Sequence, residues 1–165
     1  MPATEEDAPS NEERLRAAIG PRADYYLRHW RAMDARGKSH DWNWAACFLN
    51  VFWFAYRKMW GPMIAMGLAY VVTSPLLDPT NRTLFKIVAV VLVGLSFLTG
   101  GYGNHLYRKQ VARIVAETAG PDGDAANARA AARGGVSLAA ALISVVGLAV
   151  LSALAGMIPA LLGRG

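Results

Sequence analysis

Residues 41–60 read DWNWAACFLNVFWFAYRKMW. Trp42 to Tyr56 carries no charge, Arg57 and Lys58 follow at once, and a second apolar run opens at Gly61. A helix over Trp42–Tyr56 has about fifteen residues and rises about 22 Å, short of the roughly 30 Å of bilayer hydrocarbon. Its length argues against a crossing. Asn43, Asn50 and Arg57 are spaced by seven, which places them on one narrow stripe of a continuous helix, with Cys47 beside it. A helix lying freely on a bilayer has a broad, strongly charged face, whereas this one has a thin amide stripe on a wide apolar surface. Residues 42–60 therefore read as an aromatic interfacial or re-entrant helix wedged into the bilayer edge. The stripe of Asn43, Asn50 and Arg57 is the candidate interaction surface or cavity lining. Trp42, Trp44, Trp53 and Tyr56 suit the zone where one end of a ring is dry and the other wet.

The rest of the chain supports a membrane setting. Of 165 residues, 54% are hydrophobic and only 18% charged, against roughly 25% charged in an average globular domain. Charge is missing from four blocks: 42–56, 59–77, 87–107 and 134–163. These blocks are apolar all round and do not alternate on a strand or helix period. The predicted fold class is an all-α integral membrane protein with about three transmembrane helices. Residues 61–107 form a two-span hairpin, with spans near Gly61–Leu77 and Leu84–Thr99. Asp78-Pro79-Thr80-Asn81 supplies the turn between them. Residues 135–165 hold the third span and a short tail, and that span is longer than a bilayer needs.

Residues 1–41 form a polar head with no apolar core of a secretory signal. Residues 1–9 are expected to be disordered. Ser10 and Glu13 fit a capping box opening a helix that stops at Gly20-Pro21. A second helix over Arg22–Ala35 places Tyr26, Trp30 and Met33 on one face. Residues 108–134 form a connector, broken at GPDGD and then rich in alanine. Arg57, Lys58, Arg108, Lys109, Arg113, Arg129 and Arg133 flank one side of the hairpin, and only Arg82 and Lys86 the other. The positive-inside rule then puts the head and connector in the cytoplasm. It puts 78–83 and the C-terminus on the periplasmic side of a bacterial inner membrane.

The net charge of +5 does not imply nucleic acid, because the basic residues border apolar blocks, where they meet anionic lipid head groups. His29, His40 and His105 have no metal-ligand spacing, and Cys47 reads as a packing residue. TGGYGNHLYRKQ (99–110) leaves a membrane helix and lacks the strand and Gly-Lys-Ser/Thr ending of a phosphate loop. Gly100, Gly101, Gly103 and Asn104 instead mark a helix break or a close helix interface. Ser152 and Gly156, or Ala140 and Ser144, have the small-residue spacing of membrane helix contacts. No ionisable group lies deep in a span, and no nucleophile–base pair can be defended from spacing. The expectation is a protein with no cofactor, no metal and no enzymatic activity.

ADYYLRHW (Ala23–Trp30), WNWAACF (Trp42–Phe48), FWFAYRKMW (Phe52–Trp60) and YGNHLY (Tyr102–Tyr107) together resemble a bacterial inner-membrane family known as domain of unknown function twenty-six twenty-eight. The resemblance covers about residues 23–110. It implies a small inner-membrane protein with a short cytoplasmic N-terminal segment, an aromatic helix and a helical hairpin, and no reaction, cofactor or site. Cys47, Leu49 and Val51 stand where that family is often richer in Phe, Gly or Pro, and the connector and third span lie outside the likeness. The expected role is a non-enzymatic interaction, accessory or scaffold component of a membrane complex. Its partner would be a second copy, giving a homo-oligomer, or a larger assembly. The alternative is an oligomeric transporter, channel or lipid-handling protein whose Asn43–Asn50–Arg57 stripe faces a cavity.

Overall fold

Apolar segments away from water need a backbone that satisfies its own polar groups, and the apolar blocks among the described residues meet that need as helices. The computed structural model describes residues 11–77 and 80–161, with side chains as far as Met157. Among the described residues there is no strand. In chain order the helices are α1 (Asn11–Ile19), α2 (Ala23–Ala35), α3 (Trp44–Leu49), α4 (Val51–Tyr56), α5 (Trp60–Thr73), α6 (Arg82–Thr118), α7 (Gly123–Arg133) and α8 (Leu138–Leu161). A 3-10 turn, Ser74–Leu76, closes α5. Residues 1–9, Ser10 of the expected capping box, Asp78, Pro79 and 162–165 lie outside the described residues.

Two regions of opposite character follow from the sequence pattern. In the head, α2 buries Tyr26, Leu27, Trp30 and Met33, the face its spacing predicts. They pack with Ile19, Trp53, Phe54, Met59, Tyr107 and Val111 in one core. Each fully buried apolar side chain of this size contributes about 1.5–3 kcal/mol. Away from the head, α5 buries none of its residues. The first half of α6 exposes Ile87, Val90, Val91, Val93, Phe97 and Leu98. Helix α8 exposes Leu142, Ile143, Val146, Leu151 and Leu154.

Helix α6 joins the two regions. Its 37 residues span about 55 Å. Asn81 starts it by accepting a bond from the Leu84 backbone N–H at 3.1 Å, a side-chain cap that satisfies one free donor. Beyond Thr99 one side of it turns inward, burying Gly103, Asn104, Tyr107, Val111, Ile114 and Thr118 at the spacing of a single helix face.

Among the described residues two helices, α6 and α8, are long and apolar enough to cross a membrane. The expected count of three is not reached on length. Helix α5 has 14 residues, about 21 Å, because Pro75 lies in the 3-10 turn that ends it and proline removes a backbone donor.

The aromatic segment departs most from expectation. Instead of one helix over 42–56 there are two six-residue helices meeting at Asn50, whose φ of 44° and ψ of −109° lie outside the helical region. The limbs of this elbow lie on α6 and the core. The Asn43 backbone N–H donates to the Gly100 carbonyl at 2.8 Å. The Asn50 side chain donates to Ser96 Oγ, and Arg57 reaches Tyr107. The segment thus descends α6 to Ser96 and returns to Tyr107, a level eleven residues further along, or about 16 Å.

Helices α5 and α8 both leave from the returning limb. The Met59 N–H donates to the Phe54 carbonyl, and the Ser137 N–H to that of Tyr56. The connector helix α7 packs on α1, and the Gly135 N–H donates to the Ala18 carbonyl at 2.7 Å. A Cβ at Gly134 would stand 2.0 Å from that same oxygen, so only glycine permits the approach.

Candidate functional site

The polar side chains buried between the head and the apolar helices form a seam on α6. Asn43 is the N-cap of α3: its Oδ1 accepts from the Ala46 N–H at 2.9 Å. Its Nδ2 donates to Asn104 Oδ1 at 2.8 Å. Asn104, wholly buried, donates in turn to Asp41 Oδ2 at 3.4 Å. Its backbone carbonyl accepts from Trp30 Nε1 at 3.1 Å. Asp41 is held by a bond to His29 Nδ1 and by Arg36 at 3.3 Å. Its backbone N–H donates to the Gly101 carbonyl. Burial pushes the Asp41 carboxyl up, but the bonds and charges of His29 and Arg36 outweigh it and hold the group below the ordinary carboxylate range.

The glycines of this stretch make contact and do not break the helix. A Cβ on Gly100 would lie 2.8 Å from the Cys47 Cβ, and one on Gly103 2.8 Å from the Ala46 Cβ. Helix α3 therefore packs on α6 closely at both positions. Gly101 faces open space. Helix α6 runs through all three without interruption, so of the two expected readings, a helix break or a close helix interface, the structure has the interface and not the break. The backbone carbonyls of Gly100 and Gly101 instead use a second lone pair to accept from the 41–43 segment.

Asn43, Asn50 and Arg57 are 3%, 5% and 4% exposed. They are not one stripe of a continuous helix, because the chain reverses at Asn50. The three are an N-cap, an elbow and a C-cap. Asn50 Nδ2 donates to Ser96 Oγ at 3.1 Å, while its Oδ1 is buried with no protein partner. Arg57 Nη1 donates to the Tyr107 hydroxyl at 3.3 Å and to the Ile19 carbonyl at 3.5 Å. Its guanidinium carbon stands 4.6 Å from the Tyr26 ring centre, 5.0 Å from Tyr107 and 5.4 Å from Tyr56. Among the described residues no carboxylate pairs with it. Three aromatic faces, worth up to about 2 kcal/mol each where desolvated, offset part of the cost of burying the charge.

Asn43, Gly100, Gly103 and Asn104 therefore come together. Arg57 occupies a cage of its own, and Asn50 pairs singly with Ser96. Sequence reasoning missed His29, Asp41, Ser96 and Tyr107. The first two meet only because the loop after α2 folds back, and no local spacing signals that. Tyr107 lay in view in YGNHLY, one helical turn beyond Gly103. Chemically the seam is a carboxylate–imidazole pair continued by two amides. Among the described residues no three His, Cys, Asp or Glu side chains gather as a metal cluster.

A family model described as "Protein of unknown function (DUF2628)" matches residues 12–113, more than half of the chain. The chain belongs to this family. The DUF2628 match takes in α1 to α5, most of α6 and every seam residue, and it ends before α7 and α8. No curated protein and no solved structure matches.

Proposed function

We propose that this DUF2628 member is a non-enzymatic interaction or accessory component of a bacterial inner-membrane complex. One observation carries the proposal: a packed polar head stands beside helices whose apolar faces have no cover. Lipid covers part of that surface. Between α5 and α8, however, runs an apolar groove of about 380 Å³ lined by Met63, Gly67, Leu68, Ile143 and Gly147, among others. Small residues along it suit an apolar helix from a second copy or from a larger complex.

Charge supports the orientation. Of the 17 lysines and arginines, Arg82, Lys86 and Arg164 stand apart, and the other fourteen belong to the head, the returning limb of the elbow and the connector, the cytoplasmic side under the positive-inside rule. In this setting the elbow dips into the inner leaflet as a re-entrant segment, and α5 inserts alongside α6 and α8 as a third, shorter helix.

The test is native mass spectrometry of the protein drawn from its own membrane in mild detergent. Oligomers or a stoichiometric companion protein are expected; monomer alone would sink the proposal. Transport or lipid handling through a polar cavity is less well supported, because Asn43, Asn50 and Arg57 bond inward to α3, α6 and α1. Asn50→Leu separates the two roles: lost assembly or stability fits packing, whereas lost flux in an intact fold fits a cavity.

A further inference from the structure

The level of Tyr107 is where the apolar helices reach the head. Arg57 binds Tyr107 there, and α5 and α8 begin within a few residues of Arg57 and its neighbour Tyr56. On α6, residues 87–104 carry no charge, and His105, Arg108 and Lys109 follow. At this level a cavity of about 330 Å³ opens between the end of α2 and α6. It is lined by Met33, Asp34, Gly37, Lys38, Ser39, His105 and Arg108. Its polar lining is mainly basic and hydroxylic. The one carboxylate, Asp34, is occupied: Arg108 grips both its oxygens, at 2.6 and 2.9 Å. That bond also fixes the guanidinium plane. The exposed Lys38 makes no ion pair among the described residues, although its own backbone N–H is anchored to the Met33 carbonyl at 3.0 Å. Gly37, at φ +59°, makes the tight turn that brings Lys38 and Ser39 round towards α6.

We propose that this cavity is a binding site for the phosphate group of an anionic glycerophospholipid. Lys38 supplies the charge, Ser39 a hydroxyl donor, and His105 and Arg108 the wall on α6. The volume suits a phosphate with a small polar head, and the depth suits a lipid. The cavity lies where the charge-free run of α6 ends, so a phosphate held there leaves its acyl chains beside the exposed apolar face below. Free phosphate shares the head-group chemistry and lacks those chains. The proposal rests on the membrane setting given above.

The test uses the full chain in nanodiscs of phosphatidylcholine with graded phosphatidylglycerol, and native mass spectrometry of the lipids it retains. Lys38→Glu is compared with Lys109→Glu, a neighbouring exposed cation outside the cavity. One phosphatidylglycerol retained in preference to phosphatidylcholine is expected, with at least tenfold weaker retention in K38E and less than twofold change in K109E. Equal losses in both variants would reduce the effect to general surface charge and overturn the site. Competition by millimolar inorganic phosphate as effective as by the lipid would overturn the lipid as ligand. A chain that inserts but shows no lipid preference defeats this inference alone. One that alkaline carbonate strips from native membranes defeats the membrane setting itself.

Discussion

At Gly103 a single hydrogen stands where any side chain would strike α3. Gly103→Ala puts a methyl 2.8 Å from the Ala46 Cβ, and overpacking of this kind costs about 1–3 kcal/mol. Gly101→Ala meets nothing and gains about 0.5–1 kcal/mol of helix propensity. Thermal melts in detergent should therefore move in opposite directions for two glycines two positions apart. Asp41 gives a second residue-level prediction. Its folded pKa is depressed, so its contribution is complete above the ordinary aspartate value of about 4 and is lost as pH falls through the lower folded value. The melting temperature of the wild type should drop on acidification from about pH 5 to pH 3. Asp41→Asn should start lower and lose part of that slope, and an unchanged slope would remove Asp41 from the seam's energetics. Glu12, Asp24 and Asp34 also have lowered pKa values beside their arginine partners. They are exposed, where such pairs contribute little.

The elbow between α3 and α4 is the element on which expectation and structure part. The heptad spacing of Asn43, Asn50 and Arg57 read them as one stripe of a continuous helix, an interaction surface or cavity lining, whereas the three are buried and lie on two helices. Periodicity assumes a continuous helix, and nothing in LNVF (49–52) announces a break, since asparagine tolerates positive φ without requiring it. Replacing Asn50 tests the strain. Alanine and glycine both forfeit the Ser96 bond, but only alanine keeps the steric penalty. N50A should therefore be less stable than N50G by about 1–2 kcal/mol, read from denaturation midpoints. Equal stabilities would mean that the elbow is not strained at that residue. The all-helical fold, the α2 core face and the apolar blocks were legible because each is written in local composition or period. The His29–Asp41–Asn104–Asn43 chain was not, because it joins residues up to 75 positions apart through a returning loop. The glycines at 100–103 were recognised as special, yet sequence alone left open whether they loosen the helix or let another approach it. The Cβ atoms of Ala46 and Cys47 on α3 decide for approach.

On the scale of the whole molecule, the proposed orientation makes a prediction about sidedness. Lys58 lies against the connector helix α7, its Nζ donating to the Ala132 carbonyl at 3.1 Å, while Thr80 precedes α6 at the far end of the hairpin. With Cys47 replaced by alanine, a membrane-impermeant thiol reagent on intact cells should label Thr80→Cys and miss Lys58→Cys. The reverse pattern would invert the proposed orientation. Helix α6 carries a mechanical consequence. It is one unbroken helix, and α3 grips it at Gly100 and Gly103, leaving arms of about 27 Å towards Arg82 and about 22 Å towards Thr118. The inner arm is buried in the head core and the outer arm largely is not, so the rod is anchored at one end like a cantilever. A bend of about five degrees at that grip moves the outer tip near Arg82 by about 2 Å, while Thr118, buried and bonded through its carbonyl to Arg129 of the connector, stays in place.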